Sequence, residues 1–188
     1  MSVAGAIARL EQLAESGPVA KLAAAFAGSG FELALVGGPV RDAFLDRPLT
    51  DLDFATNASP DEIMAFVKPI SEVQWDVGRD FGTIAARIAG ETVEITTYRA
   101  DSYDGATRKP VVAFGDNLED DLVRRDFTVN AMALRLPERV LVDPWGGLEH
   151  LLEKRLTTPG APEVSFGDDP LRMLRAARFT SQLGFTVD

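Results

Sequence analysis

Apolar positions near the start of the chain follow a helical spacing before they form a continuous run. Over residues 3–27 they recur every three or four positions, which predicts two short helices ending at 28–30. The apolar run at 33–36 predicts a buried strand, and residues 40–45 predict the first turns of a helix. Because the Gly-Gly pair at 37–38 lies between them, we predict a strand, a glycine turn and a helix in succession.

The middle of the chain alternates apolar and polar residues, as half-buried strands do. Acidic and apolar side chains alternate at 51–54, which predicts a strand with one acidic face. A helix over 60–68 is predicted to begin at a Ser59-Pro60 cap. Three more strands are predicted at 73–77, 82–88 and 92–98, and the last two form a hairpin through the turn at 89–91.

The second half of the chain begins with a polar segment and continues mainly with helical patterns. Residues 100–116 are polar and contain Gly and Pro, which indicates a long mobile loop of the kind that is often functional. The elements predicted after it are a helix over 118–135, a strand at 139–142, a turn at 143–147, a helix to about 154 and a helix over 169–183. Antiparallel strands with helices before and after them predict an α+β fold.

Composition limits the chemistry that this chain can perform. Its 188 residues are 46% apolar, enough for a hydrophobic core, and it has no cysteine and one histidine, His150. Disulfides, thiolate zinc sites and cysteine nucleophiles are therefore excluded, so the chemistry depends on carboxylates and arginines. The net charge of −10 is unusual for a protein that holds a polyanion. No apolar run approaches the roughly 20 residues of a membrane helix, and we expect a cytoplasmic protein without a membrane partner.

Two aspartates on one predicted strand indicate a metal site. Asp51 and Asp53 are two residues apart, so their side chains leave the same face of the strand. Two neighbouring like charges favour a bound cation, and oxygen ligands favour Mg²⁺ or Mn²⁺. Glu94, opposite the apolar face of its own strand, is a third candidate carboxylate. The alternatives are an exposed acidic edge without metal and, for Glu94, a solvated strand residue.

The glycine turn at 37–38 adds a second feature that suits a phosphate-bearing ligand. Glycines let backbone approach a phosphate closely, the amides at a helix N-terminus favour anions, and Arg41 adds a positive charge in the first turn. A two-metal carboxylate site beside such a turn suits phosphoryl or nucleotidyl transfer. A hydrolytic nuclease could use the same residues.

Several motifs that occur in a fixed order carry a resemblance to a known family. They are GGPVRD at 37–42 with DLD at 51–53, RRDFTVNAM at 124–132, DPWGG at 143–147, DDPLR at 168–172 and RAARF at 175–179. Together they resemble the head of the bacterial-type, class II tRNA nucleotidyltransferases. These are the CCA-adding enzymes, and the family includes bacterial poly(A) polymerases.

The resemblance implies both a fold and an arrangement of domains. It implies a mixed, largely antiparallel sheet of the nucleotidyltransferase (polymerase β-like) superfamily with flanking helices. Residues 1–148 would form the catalytic head, and 149–188 the beginning of a helical neck that carries a nucleotide-template helix. Family members continue into body and tail regions that embrace the tRNA, so we expect this chain to be a fragment that grips tRNA weakly.

The resemblance also implies a role for each matching residue. Asp51 and Asp53 would hold catalytic Mg²⁺, with Glu94 as a further catalytic carboxylate. Gly38 and Arg41 would contact the triphosphate, and Arg125 and Asp126 would read the ribose. The residues implied to form a protein template for CTP or ATP and an arginine stripe beside it are Asp169, Arg172, Arg175 and Arg178. The reaction would add CMP and AMP to the 3′ end of tRNA.

Purely structural interpretations of some of these residues remain open. Asp169 before Pro170 is also a good helix cap, and Arg124-Arg125 could be a solvated face that balances the acidic residues 119–121. Trp145 and Phe127 are more typical of core packing, and His150 of a surface helix. At the level of function, the alternatives are a poly(A) polymerase and a catalytically silent nucleotide-binding fragment. No protein partner can be inferred.

Overall fold

The computed structural model describes residues 3–49, 51–99, 115 and 117–188. The helices within these residues are α1 (Val3–Ala14), α2 (Gly17–Phe26), α3 (Gly38–Leu45), α4 (Pro60–Val67), α5 (Leu118–Val123), α6 (Gly147–Glu153), α7 (Pro162–Asp168) and α8 (Leu171–Leu183). The strands are β1 (Leu33–Val36), β2 (Leu52–Thr56), β3 (Val73–Trp75), β4 (Thr83–Ile88), β5 (Glu91–Thr97), β6 (Ala133–Leu136), β7 (Val140–Val142), β8 (Arg155–Leu156) and β9 (Thr186–Val187). Short 3₁₀ turns lie at Arg79–Phe81 and Thr128–Asn130.

Seven of the described strands form one sheet in the order β3-β4-β5-β2-β1-β6-β7. Neighbours pair antiparallel except β2 and β5, which run parallel. The predicted α+β class with a mixed, largely antiparallel sheet is therefore confirmed. The parallel pair places the start of β2, where the acidic motif lies, directly beside β5.

The two faces of the sheet are covered to different extents. One face packs on the main core, to which β2 contributes Leu52 and Phe54, and β5 contributes Val93 and Ile95. The other face carries a smaller cluster around Tyr98, built on β1, β2, β6 and α5. Among the described residues that cluster does not extend to β3 and β4, and Val73 and Trp75 of β3 are exposed.

Several predicted elements are confirmed, together with the local chemistry that defines them. Ser59 caps α4 in a capping box with Glu62, because each side chain accepts a hydrogen bond from the other residue's backbone amide. The hairpin turn has Ala89 and Gly90 at positive φ, as a tight two-residue turn requires. Phe127 is fully buried, as expected of a core residue, and Trp145 packs partly buried against the smaller cluster.

The single helix predicted over 118–135 is wrong. The helix α5 ends at Val123, Phe127 is extended, and the chain enters strand β6 at Ala133. The apolar residues of β6 face cores on both sides of the sheet and do not alternate, so the periodicity resembled that of a buried helix. The helix stops where the side chains of Arg124 and Arg125 turn back to bind Asp121.

Two further differences concern the C-terminal part and the polar segment. Helix α8 begins at Leu171, close to the prediction, but the short helix α7 and the parallel pair of β8 and β9 were not predicted. Almost all of the loop predicted over 100–116 lies outside the described residues.

Candidate functional site

Asp51 and Asp53 lie at the junction of two cavities at the start of β2. A cleft of about 980 Å³ opens on one side of them, and a smaller hollow of about 530 Å³ opens on the other. Asp51 precedes the strand and is exposed, whereas Asp53 within the strand is partly buried. Neither carboxylate forms a hydrogen bond or ion pair with the residues that the structure describes. Both carboxylates therefore face open space that a ligand can enter.

Glu94 is the direct neighbour of Asp53 in the sheet. The parallel register pairs the two residues, which places their side chains on the same face at a strand spacing of about 4.8 Å. Burial raises the pKa of Asp53, and the negative charges of Glu94 and Asp51 raise it further, against an opposing effect of Arg125. Three acidic side chains thus concentrate negative charge here, a situation that a bound cation relieves.

The described residues do not form a complete set of metal ligands at this point. Among the described residues, no three His, Cys, Asp or Glu side chains are arranged closely enough to hold a metal ion. The donor set nevertheless suits Mg²⁺ or Mn²⁺, because the carboxylates supply only oxygen and leave coordination positions for water or phosphate. Glu94 lies where the sequence placed it, and its role as a third metal ligand stays a prediction.

The glycine turn faces the larger cleft from the N-terminus of α3. Gly37 has a φ of 72°, a left-handed conformation that favours glycine. A Cβ at this position would lie 3.1 Å from Nη1 of Arg125, so a side chain would crowd that guanidinium. Gly38 begins the helix and lines the cleft beside Arg41. The backbone and two arginines therefore meet at one end of the cleft.

Arg41 is held in place by two partners. Its Nε and Nη2 donate to both oxygens of Asp42 at 2.9 and 2.8 Å, and its Nη1 donates to Oδ1 of Asn130 at 2.6 Å. Asn130 in turn donates from its Nδ2 to Oδ1 of Asp126 at 2.9 Å. Because these contacts fix the guanidinium before any ligand arrives, Arg41 is already oriented within the cleft.

Asp121 on α5 binds the two arginines of the RRD motif. Its side chain is 1% exposed, and it accepts hydrogen bonds from Arg124 at 2.6 Å and from Arg125 at 2.9 Å. Burial raises the pKa of Asp121, but the charges and hydrogen bonds of Arg125 and Arg124 outweigh burial and lower the pKa overall. Arg124 and Arg125 do pair with an acidic residue of 119–121, as the alternative interpretation expects, but this partner, Asp121, is buried and not solvated.

Asp126 links the segment that follows α5 to helix α8. Its Oδ1 accepts from the amide of Phe127 and from Asn130, and its Oδ2 accepts from Nε of Arg175 at 2.7 Å. The side chain of Asp126 is 7% exposed, so it lies deep in the wall of the cleft. The implied ribose-reading residue is therefore already engaged with the arginine stripe.

Helix α8 presents the predicted arginine stripe to the cleft. The residues of this region that line the cleft are Asp169, Arg172, Arg175, Arg178, Phe179 and Gln182. Three guanidinium groups surround the Phe179 ring, those of Arg41, Arg175 and Arg178, at 5.3, 5.5 and 5.1 Å from its centroid. The face of an aromatic ring attracts cations, so Phe179 helps these charges to share a small volume.

The predicted template residues already have intramolecular partners. Asp169 accepts a hydrogen bond from the backbone amide of Leu171 at 3.0 Å, which agrees with the capping interpretation of this residue. Arg172 donates from Nη1 to Ser165 and from Nη2 to the carbonyl of Arg124. Each Nη carries a second N–H, and Asp169 has a second oxygen, so both can still meet a base edge.

All the predicted site residues except Glu94 line the large cleft, and Glu94 lines the adjoining hollow. The sequence did not single out Asp121, Asn130 or Phe179, which hold or surround the predicted arginines. Asn130 belongs to the quoted RRDFTVNAM motif and Phe179 to the quoted RAARF motif, and these motifs were the available signals. His150 accepts or donates a hydrogen bond with Thr128 at 2.9 Å and does not line the cleft.

The family follows from the order of these motifs together with the match of the whole segment. The family model described as "Poly A polymerase head domain" matches residues 33–157. The chain belongs to this family. The match includes the glycine turn, the acidic pair and the RRD segment, whereas α8 lies beyond it.

Similar curated proteins carry a more specific name. The chain is 45% identical over 160 residues to the CCA-adding enzyme of Geobacillus thermodenitrificans (strain NG80-2), covering 84% of this chain and 38% of that protein. It is 44% identical over 160 residues to the CCA-adding enzyme of Bacillus subtilis (strain 168), covering 85% and 39%. The chain therefore spans less than two fifths of the length of these relatives.

Solved structures share the fold of this family member. The Bacillus stearothermophilus CCA-adding enzyme in complex with CTP has a TM-score of 0.79 at 37% identity, covering 91% of this chain and 40% of that one. A tRNA nucleotidyltransferase complexed with a primer tRNA and an incoming ATP analogue has a TM-score of 0.71 at 31% identity, covering 89% and 46%. Within residues 3–49, 51–99 and 117–188, no helix is long and apolar enough to cross a membrane.

Proposed function

We propose that this chain is the head of a nucleotidyltransferase that adds CMP and AMP, from CTP and ATP, to the 3′ end of tRNA. One observation carries the proposal: Asp51 and Asp53 lie between an arginine-lined cleft and an open acidic hollow. A nucleoside triphosphate needs cationic groups for its phosphates and carboxylate-bound cations at the reacting phosphate. The likeness to CCA-adding enzymes supports the same activity.

Asp51 and Asp53 are the residues that would hold Mg²⁺, or Mn²⁺, in this proposal. The raised pKa of Asp53, which follows from burial and from Glu94 and Asp51, supports a cation at this point. When bound, such ions lower the pKa of the acceptor hydroxyl and stabilise the leaving pyrophosphate. Glu94 would add negative charge on the acceptor side, because it lines the hollow and not the cleft.

The remaining residues bind and orient the nucleotide. Gly38 and Arg41 would receive the triphosphate, with the guanidinium preset by Asp42 and Asn130. Arg125, anchored by Asp121, lies against the glycine turn at Gly37. Since these groups are in position before binding, little ordering cost opposes nucleotide binding.

Asp126, Asp169 and the arginines of α8 would select the nucleotide. Arg125 and Asp126 would read the ribose, and Asp169 with Arg172 would pair with the base edge, beside Arg175 and Arg178. An aspartate accepts and an arginine donates hydrogen bonds, so together they can match the edge of a cytosine or an adenine. The ion pair of Asp126 and Arg175 supports this arrangement, because it joins a ribose-reading residue to the arginine stripe beside the base-reading pair.

We also propose the division into a catalytic head, 1–148, and the beginning of a helical neck, 149–188. Interactions with α8 cross this division at Asp126 and Arg175, and at Phe127 and Phe179, whose rings meet edge to face at 5.9 Å. The nucleotide site would therefore be completed by residues from both parts. The cytoplasmic location stays a prediction.

The test is incorporation of labelled CMP and AMP into tRNA that lacks its terminal CCA, with Mg²⁺ present. We expect Asp51→Asn and Asp53→Asn to lower the rate by at least about a thousandfold, because metal stabilisation of the transition state amounts to several kcal/mol. The exposed Glu11→Gln on α1 is the matched control and should retain full activity. A folded Asp53→Asn chain with unchanged magnesium-dependent incorporation would contradict the proposal.

Two other functions give different products in the same experiment. The family description names a poly(A) polymerase, which would add only AMP when CTP and ATP are supplied together. Sequencing the products distinguishes this activity from CCA addition. A chain that binds CTP in calorimetry but extends no tRNA would be a nucleotide-binding fragment.

A further inference from the structure

A row of paired residues crosses the sheet from the acidic site to its edge. Asp53 on β2 pairs with Glu94 on β5, Glu94 pairs with Ala85 on β4, and Ala85 pairs with Trp75 on β3. Paired residues point to the same face of a sheet, so Trp75 shares a face with the carboxylates. Three strand spacings of about 4.8 Å separate Trp75 from Asp53, or roughly 14 Å in all.

Among the described residues, this face carries exposed side chains along the row beyond β2. Trp75 is 41% exposed and Val73 is 46% exposed, although both belong to the sheet. Ala85 is small and leaves no bulky side chain between Glu94 and Trp75. The opposite face of β4 is filled with core residues, so the exposure is a property of this one face. We call this surface, formed by Val73, Trp75, Ala85, Arg87, Thr92 and Glu94, the open face.

The open face lies on the acceptor side of the reacting phosphate. In phosphoryl transfer the attacking and leaving oxygens are roughly in line, on opposite sides of the phosphorus. The arginine-lined cleft on one side of Asp51 and Asp53 suits the triphosphate and its leaving pyrophosphate. The hollow on the other side, lined by Glu91, Thr92 and Glu94, therefore faces the attacking hydroxyl.

We propose that the open face binds the single-stranded 3′ end of the acceptor RNA, with Trp75 stacking on a base upstream of the terminal nucleotide. This inference rests on the proposed function, since it places the second substrate of the same reaction. An exposed aromatic ring on a sheet offers a sequence-tolerant stacking surface for unpaired bases. The surface is continuous with the carboxylates, so a strand that lies on it delivers its end to them.

Arg87 supplies the open face with a guanidinium group that can bind a phosphate of the RNA backbone. It lies two residues along β4 from Ala85, diagonal to Trp75 on the same face. Its Nε donates to the carbonyl of Gly90 and lies 3.5 Å from Glu72. Neither Nη donates a hydrogen bond to the described residues. The two Nη groups can therefore donate to a phosphate, while Glu91 and Glu94 keep negative charge towards the metal-binding end.

The experiment measures RNA binding through the fluorescence of Trp75. The chain has two tryptophans, and Trp145→Phe leaves Trp75 as the only tryptophan, whose emission can be excited selectively. The probe is a short single-stranded RNA with a free 3′-hydroxyl, added with Mg²⁺ and without nucleotide. Stacking should quench the emission in a saturable manner. Unquenched emission at RNA concentrations that saturate binding in a filter assay would overturn the proposal.

Variants then connect binding to the individual residues. Trp75→Ala should weaken RNA binding about tenfold, because the stacking contact with a base is lost, whereas Trp75→Phe keeps an aromatic ring and should retain most of the affinity. Arg87→Gln should reduce the slope of log affinity against log salt by about 0.7, the value for one phosphate of a single strand. Val140→Ala, 53% exposed on β7 at the other edge of the sheet, is the matched control and should change neither quantity.

Two measurements separate this inference from the proposed function and from other occupants. Calorimetry with CTP tests the nucleotide site alone, and Trp75→Ala should leave CTP affinity unchanged. A chain that binds CTP but whose RNA affinity is equal in Trp75→Ala and the parent overturns the inference and leaves the proposed function standing. Quenching that depends on protein concentration without RNA, with a dimer in sedimentation, would show an interface between copies and also overturn it.

Discussion

Two aspartates in this protein have pKa values shifted in opposite directions, and the charge of Arg125 acts on both of them. Burial of Asp53 raises its pKa, and the negative charges of Glu94 and Asp51 raise it further. Asp121 is more deeply buried, yet the charges of Arg125 and Arg124 lower its pKa. Burial disfavours the charge of both carboxylates, so the neighbouring charges decide the direction of the shift.

The difference shows how the site divides its two tasks. Around Asp121, attraction within the chain fixes arginines in position before a ligand binds. Around Asp53, repulsion within the chain is left in place, and a bound cation removes it. The arginine side is therefore stabilised by its own contacts, while the carboxylate side is completed only by a ligand. The same substitution, Asp to Asn, should then have opposite effects on stability at the two positions.

The largest stability effect is expected for Asp121→Asn. The substitution removes a buried charge that two arginines bind, and we expect the free energy of unfolding at neutral pH to fall by about 2 kcal/mol. Urea unfolding followed by circular dichroism measures this change. The neighbouring Asp120→Asn is the control, because Asp120 is exposed, and its effect should stay within about 0.5 kcal/mol. Equal stability of the two variants would contradict the role of Asp121.

The pH dependence of stability provides a second readout for the same variant. The folded pKa of Asp121 is lower than its ordinary value of 3.8, so its contribution is fully present above pH 3.8. That contribution is lost as the pH falls through the folded pKa. The difference in stability between the parent chain and Asp121→Asn should therefore shrink below pH 3.8. A difference that does not depend on pH would mean that shape, and not charge, explains the effect.

Asn130→Ala should have a smaller effect, on ligand binding. Asn130 holds Arg41 on one side and Asp126 on the other, so its loss frees a guanidinium that the proposed function assigns to the triphosphate. We expect CTP affinity in calorimetry to fall about tenfold, as for one hydrogen bond to a charged group. Asn57→Ala, whose amide oxygen accepts from the backbone of Glu32 away from the cleft, should leave CTP affinity unchanged.

Asp53→Asn should give the smallest effect and the opposite sign. Without divalent cations at neutral pH, removal of the repelled charge should raise the free energy of unfolding by about 0.5 kcal/mol. The folded pKa of Asp53 is higher than its ordinary value of 3.8, so the parent chain loses stability as the pH rises from 3.8 through the folded pKa. The gain from Asp53→Asn should therefore disappear at pH values below that range.

Magnesium provides the control for this last prediction. The ion should raise the melting temperature of the parent chain by binding the folded state, and it should do so much less in Asp53→Asn. If Asp53→Asn destabilises the metal-free chain, the two aspartates do not differ in the way that their charged neighbours indicate.

The sequence predicted those parts of the fold whose signals are local. The strand at 33–36, the cap at Ser59 and the hairpin turn at 89–90 each depend on a few adjacent residues, and each is present. The segment 118–136 was mispredicted because its conformation depends on distant partners. Strand β6 is defined by pairing with β1 and β7, and periodicity within the segment carries no information about that pairing.

The candidate site shows the same division between local and distant information. Motifs indicated the residues that touch open space, such as Asp53 and Arg41, because their types and spacing suit phosphates and metals. Patterns did not indicate Asp121, which appears within an acidic run that resembles a solvated surface, and they did not indicate Trp75. The importance of both residues depends on which strands and helices become neighbours. No short stretch of sequence contains that information.

The parallel pairing of β2 and β5 has a consequence for how the chain acquires its site. The ion pair of Asp121 and Arg125 forms within one helical turn of chain, whereas Asp53 and Glu94 become neighbours only after the chain has passed through α4, β3 and β4, which separate their strands in sequence. Contacts between residues distant in sequence form slowly, because the chain must close a long loop before it gains them. We therefore expect affinity for divalent cations to appear late during refolding. Magnesium binding would then report complete assembly of the sheet, which local helix signals cannot do.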